Sequence, residues 1–256
     1  MVFLLQAAEF NLHAQQPPQF SDDVKNAGKT ASELFDRTFS PDKEALEITL
    51  LSLLAAGGAS FADETVREFW KNSKSPFLDK FFSFDEFYGN HYTMIPLAGI
   101  YTYGLSAKDQ ASQSVGLKLM TASFLSICYN VIIKTSAGRS RPFRDKGNTD
   151  FNPFSFSFEQ TSFPSGHTTF TFAIAAVLEQ EYRSAGITAA AYTAAVLTAM
   201  ARMYHDVHWL SDTVFGAVIG YYIGKFAAEE LDRLQKKEIV PGSASRPFFS
   251  VTIPLR

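Results

Sequence analysis

From residue 22 onward the chain places apolar residues three and four positions apart, which is the period of an α-helix that buries one face. Val24, Ala27, Ala31 and Leu34 show this spacing. Pro41 predicts the end of the first helix, because proline cannot continue a helix. The same period recurs along most of the chain. We therefore predict an all-α protein, built as a single-domain helical bundle.

Further helices are predicted after Pro41. One begins near residues 42–43, and residues 63–71 form an amphipathic helix with Val66, Phe69 and Trp70 on one face. The remaining apolar stretches predict helices at about residues 90–107, 111–136, 165–178, 185–203 and 211–234.

The two ends of the chain differ from its middle. Residues 1–24 form a polar tail that starts with an apolar stub at residues 2–5, and the first basic residue is Lys25. A secretory signal needs a basic start and a longer apolar stretch, so this tail is either a truncated signal peptide or a frayed terminus. Residues 25–238 form the helical domain, and residues 239–256 form a linker and C-terminal tail.

The membrane question stays open at this level. The marked apolar segments are residues 48–62, 92–107, 119–133, 168–178, 185–200 and 214–224. Each is shorter than the roughly 17 residues needed to cross a bilayer, unless polar flanks are recruited. The mean hydropathy of −0.03 is also low for a protein with six spans. We expect a compact bundle, soluble or resting on a membrane, with an integral membrane protein as the alternative.

Composition narrows the class of protein. Hydrophobic residues make up 46% of the 256 residues and charged residues 19%, which suits a large core and excludes a disordered chain. The net charge of −3 gives no reason to expect nucleic-acid binding. The single cysteine, Cys128, lies in an apolar stretch and is expected to be a small buried side chain.

Residues 137–164 differ in kind from the helices around them. They contain three arginines and six phenylalanines without clear periodicity. A connection of this length inside a compact domain is usually functional or disordered.

The end of this connection predicts an anion site. Pro164 and Ser165 precede a helical apolar stretch, and serine is a good N-cap. A helix N-terminus offers unpaired N–H groups and the positive end of a dipole. Gly166 lets the backbone approach an anion, and His167 is placed beside it. An ordinary capped helix with an incidental histidine is the alternative.

A second group of residues suggests an oriented histidine. Arg202, His208 and Asp212 are separated by five and three residues. On one helical face, Asp212 would accept the Nδ1 proton of His208 and leave Nε2 free to attack. Arg202 would face elsewhere on an unbroken helix, so we predict a break near residues 204–207. A surface His–Asp pair is the alternative.

The charges near these histidines favour phosphate over a metal. Lys134, Arg141 and Arg202 are cations, which repel a metal ion and suit a phosphoryl group. Together with helix N–H groups, they would stabilise the charge that develops on the equatorial oxygens during phosphoryl transfer.

The three clusters resemble, in order and in internal spacing, the signature motifs of the type 2 phosphatidic acid phosphatase superfamily. This superfamily includes lipid phosphate phosphatases, bacterial class A acid phosphatases and vanadium haloperoxidases. The residues that carry the resemblance are Lys134, Arg141, Pro142, Pro164, Ser165, Gly166, His167, Arg202, His208 and Asp212. One position departs: the family usually has serine where this chain has Ala201, which puts one phosphate contact in doubt.

The resemblance implies a role for each site residue. His208 attacks phosphorus and forms a phosphohistidine, Asp212 orients it, and His167 serves as general acid and then base. The phosphate-binding residues it implies are Lys134, Arg141, Ser165, Gly166 and Arg202. It implies no metal and no cofactor, and an active site at helix ends.

The implied reaction is hydrolysis of phosphomonoesters or pyrophosphates, and the phenylalanine-rich residues 143–163 suit a lipid phosphate. Family habit favours an extracytoplasmic, periplasmic or membrane-associated location. A vanadium-dependent haloperoxidase is one alternative, because vanadate mimics the geometry of phosphate under attack. A non-catalytic anion-binding or membrane-docking module is another.

Other polar residues have weaker claims to the site. Arg139 and Arg144 are either substrate contacts or charges of a solvated loop. His205 is expected to be structural or exposed, and so is His91.

Overall fold

The computed structural model describes residues 20–239 and shows nine α-helices in that range. The helices are α1 Phe20–Phe39, α2 Lys43–Ser60, α3 Asp63–Asn72, α4 Pro76–Phe82, α5 Met94–Ala107, α6 Gln110–Ala137, α7 Gly166–Tyr182, α8 Ala185–Tyr204 and α9 Leu210–Ile239. The described residues form no strand, and the only β-pairing among them is an isolated bridge between Arg139 and Phe151. The predicted all-α class is confirmed.

Helix α7 lies at the centre and packs against α6, α8 and α9. The middle of α7 has small side chains that are fully buried: Ala173, Ala175 and Ala176 have no exposed surface. Helix α9 approaches it closely, because a Cβ atom on Gly220 would meet the carbonyl oxygen of Thr169 at 2.3 Å. Small residues on facing helices thus hold the N-terminal ends of α7 and α9 side by side.

Most predicted helices are present near their expected limits. Asp42 caps α2 by accepting a hydrogen bond from the amide of Ala45, and the helix predicted at residues 63–71 is α3. The predicted face of α3 is only partly correct, since Trp70 is buried but Phe69 is exposed.

The remaining expectations have mixed outcomes. Helix α1 includes residues 20–24, which the sequence had assigned to the polar tail, while residues 1–19 and 240–256 lie outside the described part. Cys128 is half-buried rather than enclosed.

One helix in the described part, α6, is long and apolar enough to cross a bilayer, and 56% of its most apolar stretch is buried inside the bundle. Helices α2 and α3 would pass the same test together, but they meet at 58°. Several helices also present large apolar side chains to the outside. These are Leu46, Leu50, Leu51, Leu53 and Leu54 on α2, Ile95 and Ile100 on α5, Phe124, Val131 and Ile132 on α6, and Val196 on α8.

The connection between α6 and α7 is folded back on itself: residues 138–142 are buried, whereas most of residues 151–158 are exposed. Backbone N–H groups of Ser140 and Arg141 donate to the carbonyls of Asp150 and Glu159, each at 2.9 Å. The amide of Ser162 donates to the carbonyl of Arg139. These bonds fix the backbone around Arg139 and Arg141, two residues whose side chains have different partners.

Candidate active site

Five parts of the fold bring the sequence-predicted residues to one end of the bundle. The C-terminal turn of α6 supplies Lys134, the α6–α7 connection supplies Arg141, and the start of α7 supplies His167. The end of α8 supplies Arg202, and the α8–α9 connection supplies His208. The charges of the three cations all act on both histidines, so these side chains share one electrostatic site.

The predicted break between Arg202 and His208 is present. Helix α8 ends at Tyr204 and α9 begins at Leu210. Asp206 takes a left-handed backbone conformation with φ of 59°, and the amide of Val207 turns back to donate to the carbonyl of Arg202. This turn lets a residue on α8 and a residue before α9 face the same space.

His208 is buried, and Asp212 is the carboxylate closest to its ring. Oδ2 of Asp212 lies 3.6 Å from Nδ1 of His208, which is longer than a hydrogen bond. That oxygen instead accepts the amide of Trp209 and the hydroxyl of Ser162. Nδ1 of His208 is consequently buried without a hydrogen-bond partner. The expected direct bond from Nδ1 to Asp212 is therefore not formed in this structure, although the carboxylate stands where it would be needed.

Burial decides the protonation of this pair. It lowers the pKa of His208 well below its usual range, and the charges of Lys134 and Arg141 lower it further. It also raises the pKa of Asp212, an effect that the Arg139 charge opposes. A neutral imidazole is the form that can act as a nucleophile.

Arg139 is neither a substrate contact nor a charge on a solvated loop, the two roles that the sequence suggested. It is 3% exposed, and its guanidinium donates to Asp63 and Asp212 and to Ser211 Oγ. Its Nε and Nη2 also donate to the carbonyl of Asn148. Every guanidinium N–H has a protein partner, so Arg139 is a structural cation behind Asp212. We call Asp63, Arg139, Ser211 and Asp212 the Arg139 network.

Asp63 was missed by sequence reasoning. Its carboxylate accepts the Ser211 amide at 2.8 Å and the Ser211 hydroxyl at 2.7 Å, in addition to Arg139. In the sequence it is one of two acids in the first turn of α3, which is a common place for a solvated carboxylate. No local signal separates it from its neighbour Glu64.

Arg141 and Lys134 are held by the end of the α6–α7 connection. Nε of Arg141 donates to the carbonyl of Phe158 at 2.8 Å, and the guanidinium lies 3.8 Å from the centre of the Phe158 ring. Nζ of Lys134 donates to the carbonyl of Thr161 at 2.7 Å. These bonds position two cations that would otherwise repel each other.

Arg202 is held from the opposite side by a second carboxylate. Its Nη1 donates to Oδ2 of Asp85 at 2.8 Å, and Nε2 of His205 lies 3.4 Å from Oδ1 of the same carboxylate. Nε of Arg202 is buried and has no partner. Asp85 was also missed by sequence reasoning. We call Asp85, Arg202 and His205 the Arg202 network.

The start of α7 supplies the remaining predicted residues. Ser165 occupies the N-cap position, but its side chain does not cap the helix; Oγ accepts the Thr168 hydroxyl instead. A Cβ atom on Gly166 would lie 3.6 Å from Cε of Lys134, so glycine keeps open the space beside that cation. Burial lowers the pKa of His167 to about 3, and the nearby Arg202 charge adds to the effect.

The arrangement suits an oxyanion. Three cations converge, a buried Arg202 Nε lacks an acceptor, and the first turn of α7 has no side-chain cap. A bound phosphoryl group would supply acceptors and balance the charge. Among residues 20–239 no group of three or more His, Cys, Asp or Glu side chains could hold a metal ion.

The other residues considered from sequence lie at the edge of the site or outside it. Arg144 pairs with Glu159 on the surface of the connection, and His91 is exposed. Ala201 is fully enclosed in an apolar cluster with Trp70 and Tyr204, which fixes α8 against α3 and α4. The family's usual serine would place a hydroxyl in that cluster.

Comparison with known proteins supports the resemblance drawn from the motifs. The model of the PAP2 superfamily matches residues 115–233. The chain is 36% identical over 94 residues to a lipid A 1-phosphatase from Porphyromonas gingivalis, covering 36% of this chain and 18% of that protein. It is 34% identical over 119 residues to a lipid A 1-phosphatase from Rhizobium etli, covering 44% of this chain and 49% of that protein. The chain thus spans less than half the length of either relative.

A solved structure shares the fold. The transmembrane PAP2-type phosphatidylglycerolphosphate phosphatase from Bacillus subtilis superposes with a TM-score of 0.56 at 22% identity, covering 73% of this chain and 95% of that chain.

Proposed function

We propose that this chain, whose residues 115–233 match the model of the PAP2 superfamily, is a metal-independent phosphatase that hydrolyses a lipid phosphate through a phosphohistidine on His208. The observation that carries the proposal is the position of His208. It is buried, neutral and surrounded by Lys134, Arg141 and Arg202, with a carboxylate behind it.

The first step forms a bond from Nε2 of His208 to phosphorus and breaks the bond from phosphorus to the leaving oxygen. Asp212 orients the imidazole and stabilises the positive charge that the ring acquires. His167 gives a proton to the leaving oxygen. Its pKa is low in the free site, but a bound phosphate dianion would offset the neighbouring cations and favour its protonated form.

The second step releases phosphate. His167, now neutral, takes a proton from water, and the water oxygen attacks phosphorus as the P–N bond breaks. His208 returns to its neutral form. Lys134, Arg141 and Arg202 and the first-turn amides of α7 stabilise the equatorial oxygens in both steps.

A lipid phosphate is the substrate class that the surroundings of the site favour. Phe154, Phe156 and Phe158 are 78%, 87% and 63% exposed on the connection that holds Arg141. Leucine and isoleucine side chains are exposed on α2, α5 and α6. Exposed apolar surface of this extent marks contact with a partner or a membrane. Both relatives above are lipid A 1-phosphatases, so a phosphomonoester on a glycolipid headgroup is the first substrate to test.

Activity is tested with detergent-purified protein in excess chelator, on an aryl phosphate and on dispersed lipid phosphates. We expect phosphate release that resists the chelator and is lost in His208→Ala. His91→Ala is the matched control, since it removes an exposed histidine outside the site. Chelator-sensitive activity, or full activity in His208→Ala, would contradict the proposal.

Membrane association and an extracytoplasmic location are parts of the same proposal. After cell disruption, we expect the protein to stay with the membrane fraction through a high-salt wash, because α2 from Leu50 to Leu54 and α6 from Phe124 to Ile132 present large apolar side chains to the outside. Release by salt alone would indicate an electrostatic surface contact instead. A protease tag is placed in the exposed part of the α6–α7 connection, next to the site. Protease added to intact spheroplasts should cleave this tag only if the site faces away from the cytoplasm.

A further inference from the structure

We propose that Asp85 is a positioning residue of the reaction, which holds Arg202 in the orientation that binds the phosphoryl group. The inference rests on the proposed phosphatase function. Asp85 lies in the 3-10 turn Ser83–Glu86, outside the segment that matches the family model. It is 1% exposed, and a buried carboxylate is retained only where it is paired.

The contacts of Asp85 are directed at the site. Oδ2 takes one hydrogen bond from Arg202 Nη1 at 2.8 Å, and Oδ1 faces His205 Nε2 at 3.4 Å. The carboxylate therefore holds one nitrogen of the Arg202 guanidinium and leaves its buried Nε without a partner. A planar guanidinium that is fixed at one nitrogen has its remaining donors fixed in direction as well. Those donors are the ones available to a phosphoryl oxygen.

Charge balance supports the same role. Lys134, Arg141 and Arg202 crowd one site, and each lowers the pKa of His167. Asp85 is the carboxylate that acts on His167 in the opposite direction. Burial alone would raise the pKa of Asp85, but His205 and Arg202 together lower it, so the carboxylate is ionised. The Asp212 charge has the corresponding effect on Lys134 and Arg141, since it raises the pKa of each and so favours their charged forms.

The Arg139 network shows what a merely structural pair looks like. All guanidinium N–H groups of Arg139 donate to protein acceptors, whereas the buried Nε–H of Arg202 has no acceptor. Asp85 thus orients an arginine that is otherwise uncommitted, and its effect must pass through Arg202.

The test is a double-mutant cycle read by phosphate affinity and by turnover. Asp85→Asn, Arg202→Met and the double variant are compared in kcat/KM for an aryl phosphate and in the Kd of inorganic phosphate from thermal shifts. We expect Asp85→Asn to lower kcat/KM by up to about 100-fold, the cost of misplacing a catalytic group by about 1 Å, and to weaken phosphate binding as well. In the Arg202→Met background the same change should have almost no further effect. Glu86→Gln, in the same turn but exposed, is the matched control and should change neither quantity.

Two outcomes would overturn the proposal. One is a folded Asp85→Asn variant with wild-type kcat/KM and phosphate affinity; the other is a loss that is equally large with and without Arg202. If Asp85→Asn does not fold, Asp85→Glu replaces it in the cycle. The longer side chain keeps the charge but displaces the guanidinium, so it should also weaken phosphate binding through Arg202, and unchanged affinity would refute the role. Absence of turnover in the wild type would contradict the phosphatase function. The role of Asp85 would then be tested by the double-mutant cycle in the Kd of inorganic phosphate alone.

Discussion

Two arginine–carboxylate networks flank the histidines, and they differ in what they leave unused. In the Arg139 network every guanidinium N–H is bonded to protein, and the side chains of Arg139, Asp63 and Asp212 are 4%, 0% and 0% exposed. In the Arg202 network the arginine side chain is 16% exposed and its buried Nε has no partner. We call the Arg139 network closed, because its arginine has no free donor, and it fixes the fold behind Asp212. We call the Arg202 network open, because its arginine keeps a free donor for an anion. Two largely buried arginines, each paired with a buried carboxylate, can therefore have different functions.

The largest effect is expected from breaking the closed network. Arg139→Met leaves Asp63 and Asp212 as buried carboxylates without their cation, which costs about 3–5 kcal/mol of the free energy of unfolding. Denaturant or thermal unfolding in detergent measures the loss. Arg144→Met is the control: it removes a surface cation paired with Glu159 and should cost less than about 1 kcal/mol. Equal losses would show that the Arg139 network is not the structural one.

The open network should respond to an anion instead. Inorganic phosphate at about 100 times its Kd is expected to stabilise the wild type by about 2.7 kcal/mol, because only the folded protein binds it. Arg202→Met should lose most of this stabilisation. Its stability without phosphate should also fall, because Asp85 is left with His205 alone, but by less than in Arg139→Met, which leaves two buried carboxylates without their cation. Arg144→Met should keep the full phosphate shift. A shift that survives in Arg202→Met would place the anion elsewhere.

Acid should weaken the fold through the histidine between the two networks. The pKa of His208 in the folded state lies well below 6.5, so only the unfolded chain takes up its proton as the pH falls. The stability that results is fully present above about pH 6.5 and decreases below it, by about 1.4 kcal/mol per pH unit for each such histidine. His167 adds a second decrease of the same sign, since its pKa is lowered to about 3.

The pH effect is measured by unfolding between pH 7 and pH 5 in low-phosphate buffer. His208→Asn should show about half the wild-type dependence, because His167 remains. A dependence that is unchanged in His208→Asn would mean that other groups account for the acid sensitivity.

The smallest effect is expected from removing the Phe158 ring, which contacts Arg141. The Phe158 ring lies over the Arg141 guanidinium, a cation–π contact worth about 0.5–1 kcal/mol at an exposed site. Phe158→Ala should raise the KM for a soluble aryl phosphate by about two- to fivefold and leave kcat nearly unchanged. Phe156→Ala is the control on the same connection, since its ring is 87% exposed. A large fall in kcat would mean that Phe158 positions the reacting groups themselves.

The sequence predicted the part of this arrangement that local patterns encode. Helical periods located the bundle, and the need for Arg202 and His208 to converge predicted the turn after Tyr204. The motif resemblance distinguished Arg141 from Arg139, but the structural role of Arg139 could not be predicted, because only its tertiary contacts with Asp63, Ser211 and Asp212 define it. Asp63 and Asp85 carry no local signal, because their partners Arg139, Ser211 and Arg202 all lie at least 76 positions away in the sequence.

We propose that His208 carries the phosphoryl group. Rapid alkaline quench after mixing with phosphorus-labelled substrate, followed by peptide mapping, tests it most directly, because a P–N bond survives alkali and breaks in acid. With an aryl phosphate, whose leaving group depends little on a general acid, we expect label on His208 in the wild type, more label in His167→Ala because water is no longer activated, and none in His208→Ala. Wild-type turnover with no trapped label even in His167→Ala, or label on any other residue, would contradict the account.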